Sequence, residues 1–142
     1  MALTRRNLLI LGGALCVRQL GCGGPGLSQL PPAISAGPKS GVPPNSLVTV
    51  GGQAVALGRD SGGIYALSLI CTHAGCDISQ DGSVSPSEID CFCHSSVFDA
   101  NGAPRSGPAR SPLPHFPVDV DGSGILTIHT DREVPATTRL SV

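Results

Sequence analysis

From Leu47 onward the chain alternates short aliphatic and β-branched runs with glycine-rich breaks, and no stretch sustains a 3.6-residue period. Leu47–Val50, Gln53–Leu57, Ile64–Ile70, Phe116–Val120 and Ile125–His129 have the length and residue types of strands. Between them, Gly51-Gly52, Asp60-Ser61-Gly62-Gly63 and Asp121-Gly122-Ser123-Gly124 supply the residues that tight hairpin turns require. The pattern predicts a small antiparallel all-β domain over residues 46–142. Pro108, Pro112, Pro114 and Pro117, with Pro104 just upstream, lack the N–H that a ladder needs, so Ser106–Pro117 is predicted to be a rigid loop.

The first 45 residues follow neither pattern. Residues 23–45 are rich in glycine and proline, with no apolar periodicity, and are predicted to be a tether. In residues 1–22, Arg5-Arg6 precedes the apolar run Leu8–Val17, ten residues long and short for a membrane span. Thr4-Arg5-Arg6-Asn7-Leu8-Leu9 resembles the twin-arginine export signal; an ordinary secretory signal is the plainer alternative. Gln19-Leu20-Gly21-Cys22 resembles a degenerate lipoprotein cleavage box, which makes Cys22 a lipidation candidate beside a retained anchor or cleavage to a soluble form. Each of these readings puts the domain on the periplasmic side of the cytoplasmic membrane, where a disulfide persists.

Composition narrows the function. Three of the nine basic residues precede Cys22, which leaves six against ten acidic ones and a formal charge of −4 beyond it. No basic patch exists for a nucleic acid to use, and the balance is that of a soluble domain or of one meeting a basic partner. With three Phe, one Tyr and no Trp, the core must be built from Val, Ile, Leu and Ala, and a core that small benefits from a staple.

The chemistry is concentrated in two short runs, Cys71-Thr72-His73-Ala74-Gly75-Cys76 and Cys91-Phe92-Cys93-His94-Ser95-Ser96. Together they hold four of the six cysteines and two of the four histidines. Cys71-x4-Cys76 matches the first spacing of a plant-type ferredoxin, but the Cys-x2-Cys that should follow is absent. Zinc accepts mixed Cys and His ligands, yet its usual first pair is Cys-x2-4-Cys, whereas each run here offers Cys before His. His115 and His129 lie outside both runs and read as ordinary surface or strand residues, and Asp77 and Asp99 as turn residues that orient nearby backbone.

CTHxGC, then CxCHxS, resembles the Rieske iron-sulfur proteins, with the similarity running from about Leu47 to His129. The resemblance implies a small β-sandwich with a cluster-binding loop subdomain and a 2Fe-2S cofactor. It implies Cys71 and Cys91 as ligands of one iron, His73 and His94 as ligands of the other, and a disulfide between Cys76 and Cys93. The two additional cysteines are similar to those of the high-potential respiratory branch found in cytochrome bc-type complexes. That implies a membrane quinol:cytochrome c oxidoreductase subunit, with a quinol or another reduced donor, a c-type cytochrome-like acceptor, and His94 at the tip as the quinol or partner contact. Imidazoles replacing two thiolates make the centre less negative and raise potentials to about −150 to +300 mV, from about −400 mV in plant-type ferredoxins.

The resemblance also marks departures. Ser96 matches the family serine that donates to a bridging sulfide, but Phe98 stands where the family's tyrosine donor would be. Ala74, Phe92 and Ser95 replace the usual leucine, proline and glycine of the two runs. His94-Ser95-Ser96-Val97-Phe98-Asp99 is also similar to the small subunit of arsenite oxidase, which implies the alternative of a periplasmic oxidase subunit or a stand-alone exported carrier. No residues remain for the mononuclear-iron domain of an oxygenase.

Overall fold

A computed structural model describes residues 30–142. The signal, anchor and lipidation readings of residues 1–22, and the start of the tether, lie outside the described residues. Among the described residues no helix is long and apolar enough to cross a membrane.

Three antiparallel sheets form the domain. The first has the order β1-β11-β10, from Ala33–Pro38, Ile125–His129 and Val118–Val120. The second has the order β2-β3-β4-β9, from Ser46–Thr49, Val55–Asp60, Gly63–Ser68 and His115–Phe116. The third runs β5-β6-β7-β8, from Gly82–Val84, Glu88–Cys91, Ser96–Asp99 and Pro104–Ser106.

Strand β4 explains how the sheets share one domain. All six of its residues are buried, because it is covered on both faces, and its apolar run Ile64–Leu67 is what such a strand needs. Ile64 and Ala66 join Val55 and Leu57 against Ile34, Leu126 and Ile128 of the first sheet, which makes the base a sandwich. Tyr65 and Leu67 point the other way, into a second core with Ile89, Phe98, Cys71, Cys91, Ala109 and Leu113. A central strand with two apolar faces therefore carries the cysteine lobe on its back.

The predicted turns form as their residues dictate. Gly62 N–H donates to Asp60 Oδ1 at 2.8 Å in the β3–β4 hairpin. Asp121 Oδ1 accepts from Ser123 N at 2.8 Å and from Ile125 N at 3.0 Å in the β10–β11 hairpin. Asp77 and Asp99 do the same work, Asp77 Oδ1 capping Ser79 N and Asp99 Oδ1 accepting from Asn101 N and Ala103 N.

Two expectations need correction. The 23–45 tether does not extend to residue 45: Ala33–Pro38 is strand β1, paired with β11, and Ile34 and Val42 are buried in the sandwich core. Glycine and proline are tolerated there because β1 is an edge strand, with a register shift between Ser35 and Gly37, and Gly37 takes φ +80°. The rigid loop also stops short of Pro117, because His115 and Phe116 pair with Leu67 and Ala66 as β9.

Candidate metal centre

The first run forms a closed turn after β4. Cys71 N–H donates to Cys76 O, and Gly75 N–H donates to Cys71 O, both at 2.8 Å. Gly75 takes φ +78°, a conformation that glycine adopts at no steric cost. The second run is the four-residue connection between β6 and β7, closed by the pairing of Cys91 with Ser96. Phe92 N–H donates to Asp81 O at 2.8 Å and ties the second run to the segment that follows the first.

The folded chain sorts the six residues by depth. Cys71 and Cys91 are buried free thiols. His73 and His94 are exposed, their rings edge to face with centroids 4.8 Å apart. Cys76 and Cys93 form a disulfide with Cα atoms 6.7 Å apart, which joins the two runs covalently. The Cys91 sulfur lies within 4.8 Å of both disulfide sulfurs, but those two are spent in their own bond and are not thiolate donors.

The electrostatics suit a buried anionic sulfur that gains an electropositive partner. Burial pushes the Cys91 thiol up from its ordinary value, and the Cys71 thiol adds to this. Backbone N–H groups of Cys93 and His94 donate to the Cys91 sulfur and work in the opposite sense, by favouring the thiolate. Two thiols inside, two imidazoles outside and amide donors aimed at a sulfur fit a 2Fe-2S group held by one all-cysteine and one all-histidine iron. These amide donors have no side-chain signature, so the sequence did not reveal them.

The proline segment closes over both runs. Thr72 Oγ1–H donates to Ser111 O at 2.7 Å, and Ala109 N–H donates to Ser96 Oγ at 3.2 Å. Ser96 is fully buried, and because its oxygen accepts from Ala109, its own proton is left for donation. Gly107, at φ +84°, lies so close to the second run that a Cβ there would strike the Ser95 carbonyl and Ser96 Cα. Phe98 is fully buried in the same core as Cys71 and Cys91. Phe92, by contrast, is 65% exposed at the tip.

Ser95 sits at φ +59°, in the left-handed region that glycine favours. Relieving that backbone conformation is worth about 1 kcal/mol. Ser95→Gly is therefore expected to raise the denaturant midpoint slightly with the m-value unchanged, as checked by urea unfolding.

His129 stands in β11 and pairs with Asp119 at 2.8 Å, as an ordinary strand residue does. His115 is in a strand as well, but it is deeply buried.

Comparison with known proteins agrees with this geometry. Residues 34–117, more than half of the chain, match the Rieske [2Fe-2S] domain family. The chain is 46% identical over 67 residues to the cytochrome bc1 complex Rieske iron-sulfur subunit of Corynebacterium diphtheriae, a match that covers 46% of this chain and 16% of that subunit. It is 39% identical over 64 residues to the cytochrome b6-f complex iron-sulfur subunit of Prochlorococcus marinus, covering 45% of this chain and 35% of the relative. It is 35% identical over 75 residues to the ferredoxin component of the p-cumate 2,3-dioxygenase system of Pseudomonas putida, covering 52% and 64%. Among solved structures, a chain in the complex of reduced oxygenase and oxidized ferredoxin of carbazole 1,9a-dioxygenase superposes with a TM-score of 0.52 at 25% identity, covering 73% of this chain and 98% of that one. The paired loops, the disulfide between them and the family match lead to one conclusion: this chain belongs to the Rieske [2Fe-2S] family.

Proposed function

We propose that the chain carries single electrons as the iron-sulfur subunit of an exported, membrane-associated quinol:cytochrome c oxidoreductase. The observation that carries this reading is the Cys76–Cys93 disulfide, which locks two loops that bury Cys71 and Cys91 and expose His73 and His94. Cys71 and Cys91 would hold one iron of the 2Fe-2S group, and His73 and His94 would hold the other. The 2Fe-2S group supplies a one-electron couple when bound.

The chain's own groups tune that couple and direct its traffic. The N–H groups of Cys93 and His94 offset charge at the Cys91 sulfur, and the Ser96 hydroxyl, whose oxygen accepts from Ala109 N–H, keeps its proton free to donate toward the same site; both would favour the reduced state. The exposed imidazoles form the side from which a partner is reached, with His94 as its contact. The disulfide and the resemblance of Thr4–Leu9 to a twin-arginine signal support export to the periplasmic side, and mass spectrometry of the mature N-terminus decides between lipidated Cys22, a retained signal and a soluble form.

Phe92 and Phe98 favour a second reading, an electron-transfer subunit of a periplasmic oxidase or a stand-alone carrier. An exposed phenylalanine reshapes the tip, and a buried phenylalanine brings no hydroxyl to the centre. The decisive measurement is reduction potential against pH. A high potential that falls in alkali supports quinol oxidation, and a much lower one supports the carrier.

Phe98→Tyr tests the tuning directly. It adds a hydroxyl to a core that contains both free thiols, where a buried donor needs an acceptor. The expected outcome is a higher potential by protein-film voltammetry with the iron content unchanged. An unaltered potential rejects the hydroxyl account.

A further inference from the structure

We infer that His115 is a proton-linked positioning residue of the electron-transfer site, fastening the proline segment behind the cysteine loops most tightly when its ring is doubly protonated. The inference rests on the reading of those loops as the seat of the 2Fe-2S group.

The ring is buried and each nitrogen faces an oxygen. Nδ1 lies 3.2 Å from Leu113 O, and Nε2 lies 3.2 Å from Asn101 Oδ1. The orientation of the Asn101 amide is fixed independently, because its Oδ1 accepts from Arg139 Nη2 at 2.9 Å and its Nδ2 donates to Ala136 O at 3.3 Å. Reversing it would set an NH2 group against a guanidinium and an oxygen against a carbonyl. A neutral imidazole has one N–H, so one of its nitrogens must turn a lone pair toward an oxygen acceptor. Only the imidazolium satisfies both contacts.

Opposing forces keep the proton exchangeable. Burial lowers the proton affinity of His115 below its ordinary value, and the Arg139 charge acts in the same sense, while the Leu113 carbonyl and Asp99 act against them. The charged and titratable groups facing the ring are thus Arg139 from the C-terminal segment, Asp99 from the end of β7, and Tyr65 of β4, which stacks on it with centroids 5.9 Å apart. Arg139 is itself paired with Asp60 Oδ2 at 2.8 Å and lies over the Tyr65 ring. A histidine lowered in this way gives up its proton at a lower pH than an ordinary histidine does.

The contact reaches the site through the proline segment. Leu113 N–H donates to Gly102 O at 2.9 Å, and the Leu113 side chain is buried in the core that holds Cys71, Cys91 and Phe98. The same segment presents Ala109 to Ser96 and Ser111 to Thr72. The segment is thus tied to both cysteine loops, to β4 and the β7–β8 turn through Ser68 N–Pro114 O and Leu113 N–Gly102 O, and to Asn101 through the His115 ring. A proton at His115 adds positive charge behind the centre, which favours the reduced state, and it strengthens the His115–Asn101 contact that helps fasten the segment. Linkage then requires that reduction raise the affinity of His115 for a proton drawn from solvent.

The test uses the full chain with its iron and acid-labile sulfide bound. His115 is titrated by NMR of ring-labelled histidine, and the reduction potential is measured between about pH 4 and 8. The expected result is a step in potential, falling as pH rises, at the pH where His115 loses its proton. His115→Gln is expected to abolish the step. Asn101→Asp keeps acceptors for both His115 and Arg139 and adds a negative charge, so it is expected to move the His115 titration and the potential step to higher pH together. If His115→Gln does not fold, Asn101→Asp alone decides. A His115 that does not titrate in this range, a potential with no step there, or an Asn101→Asp variant in which the titration moves and the potential does not, overturns the inference. A purified chain without iron and sulfide is instead the failure of the cluster reading.

Discussion

Cys91→Ser is expected to yield a chain that purifies without its iron-sulfur group. A serine hydroxyl does not ionise near neutral pH, so one of two buried anionic donors disappears. The N–H groups of Cys93 and His94 would then point at an oxygen that holds no charge. Loss of even an outer-sphere partner costs about 10–100-fold in metal affinity, and loss of a ligand exceeds that. The measurement is iron and acid-labile sulfide per chain, with the visible spectrum beside it. Retention of both at wild-type levels would remove Cys91 from the ligand set. His94→Ala gives the contrasting case, because its ring is exposed and its removal leaves the buried core intact. It is expected to lose the iron-sulfur group while keeping the thermal transition of the metal-free domain.

Cys76→Ser combined with Cys93→Ser carries the second large effect. The disulfide spans a sequence separation of 17, and opening a loop of that size costs about 3 kcal/mol in the chain-entropy account. For a domain of this size that corresponds to a fall of roughly 10–25 °C in Tm. The two loops would remain joined by the Phe92–Asp81 hydrogen bond and by the proline segment. The doubly substituted chain is therefore expected to bind iron and sulfide at low temperature and to release them on warming well before the wild type. Calorimetry with parallel iron release checks this. An unchanged Tm would mean that the loops are held by the core and the proline segment, with the disulfide contributing nothing measurable.

The two Cys/His runs were legible because their chemistry is local: residue type and spacing within six positions carry most of the information. The hairpins were legible for a related reason, since Asp60, Gly62 and Asp121 act on backbone two to four residues away. Strand β1 was hidden because an edge strand accepts Gly37 and Pro38, residues that composition alone assigns to a tether. Strands β5 to β8 were hidden too, being three or four residues each with mixed burial, so their apolar signal is weak. They pair with one another, and their apolar face is covered by Tyr65 and Leu67 of β4 and by Ala109 and Leu113 of the proline segment. His115 reads as an unremarkable strand residue until Asn101, itself held by Arg139, is brought to its ring from elsewhere in the chain.

By itself the sequence determined an antiparallel β domain, the two Cys/His runs and the family they resemble, because periodicity, turn chemistry and residue spacing are short-range properties. Only the tertiary structure decided that the thiols lie inside and the imidazoles outside. Only it showed that Cys76 meets Cys93 and that the proline segment is fastened to both loops. Those facts depend on β4 burying both faces and on groups distant in sequence sharing one dry interior, where an unpaired donor or charge is costly enough to fix its partner.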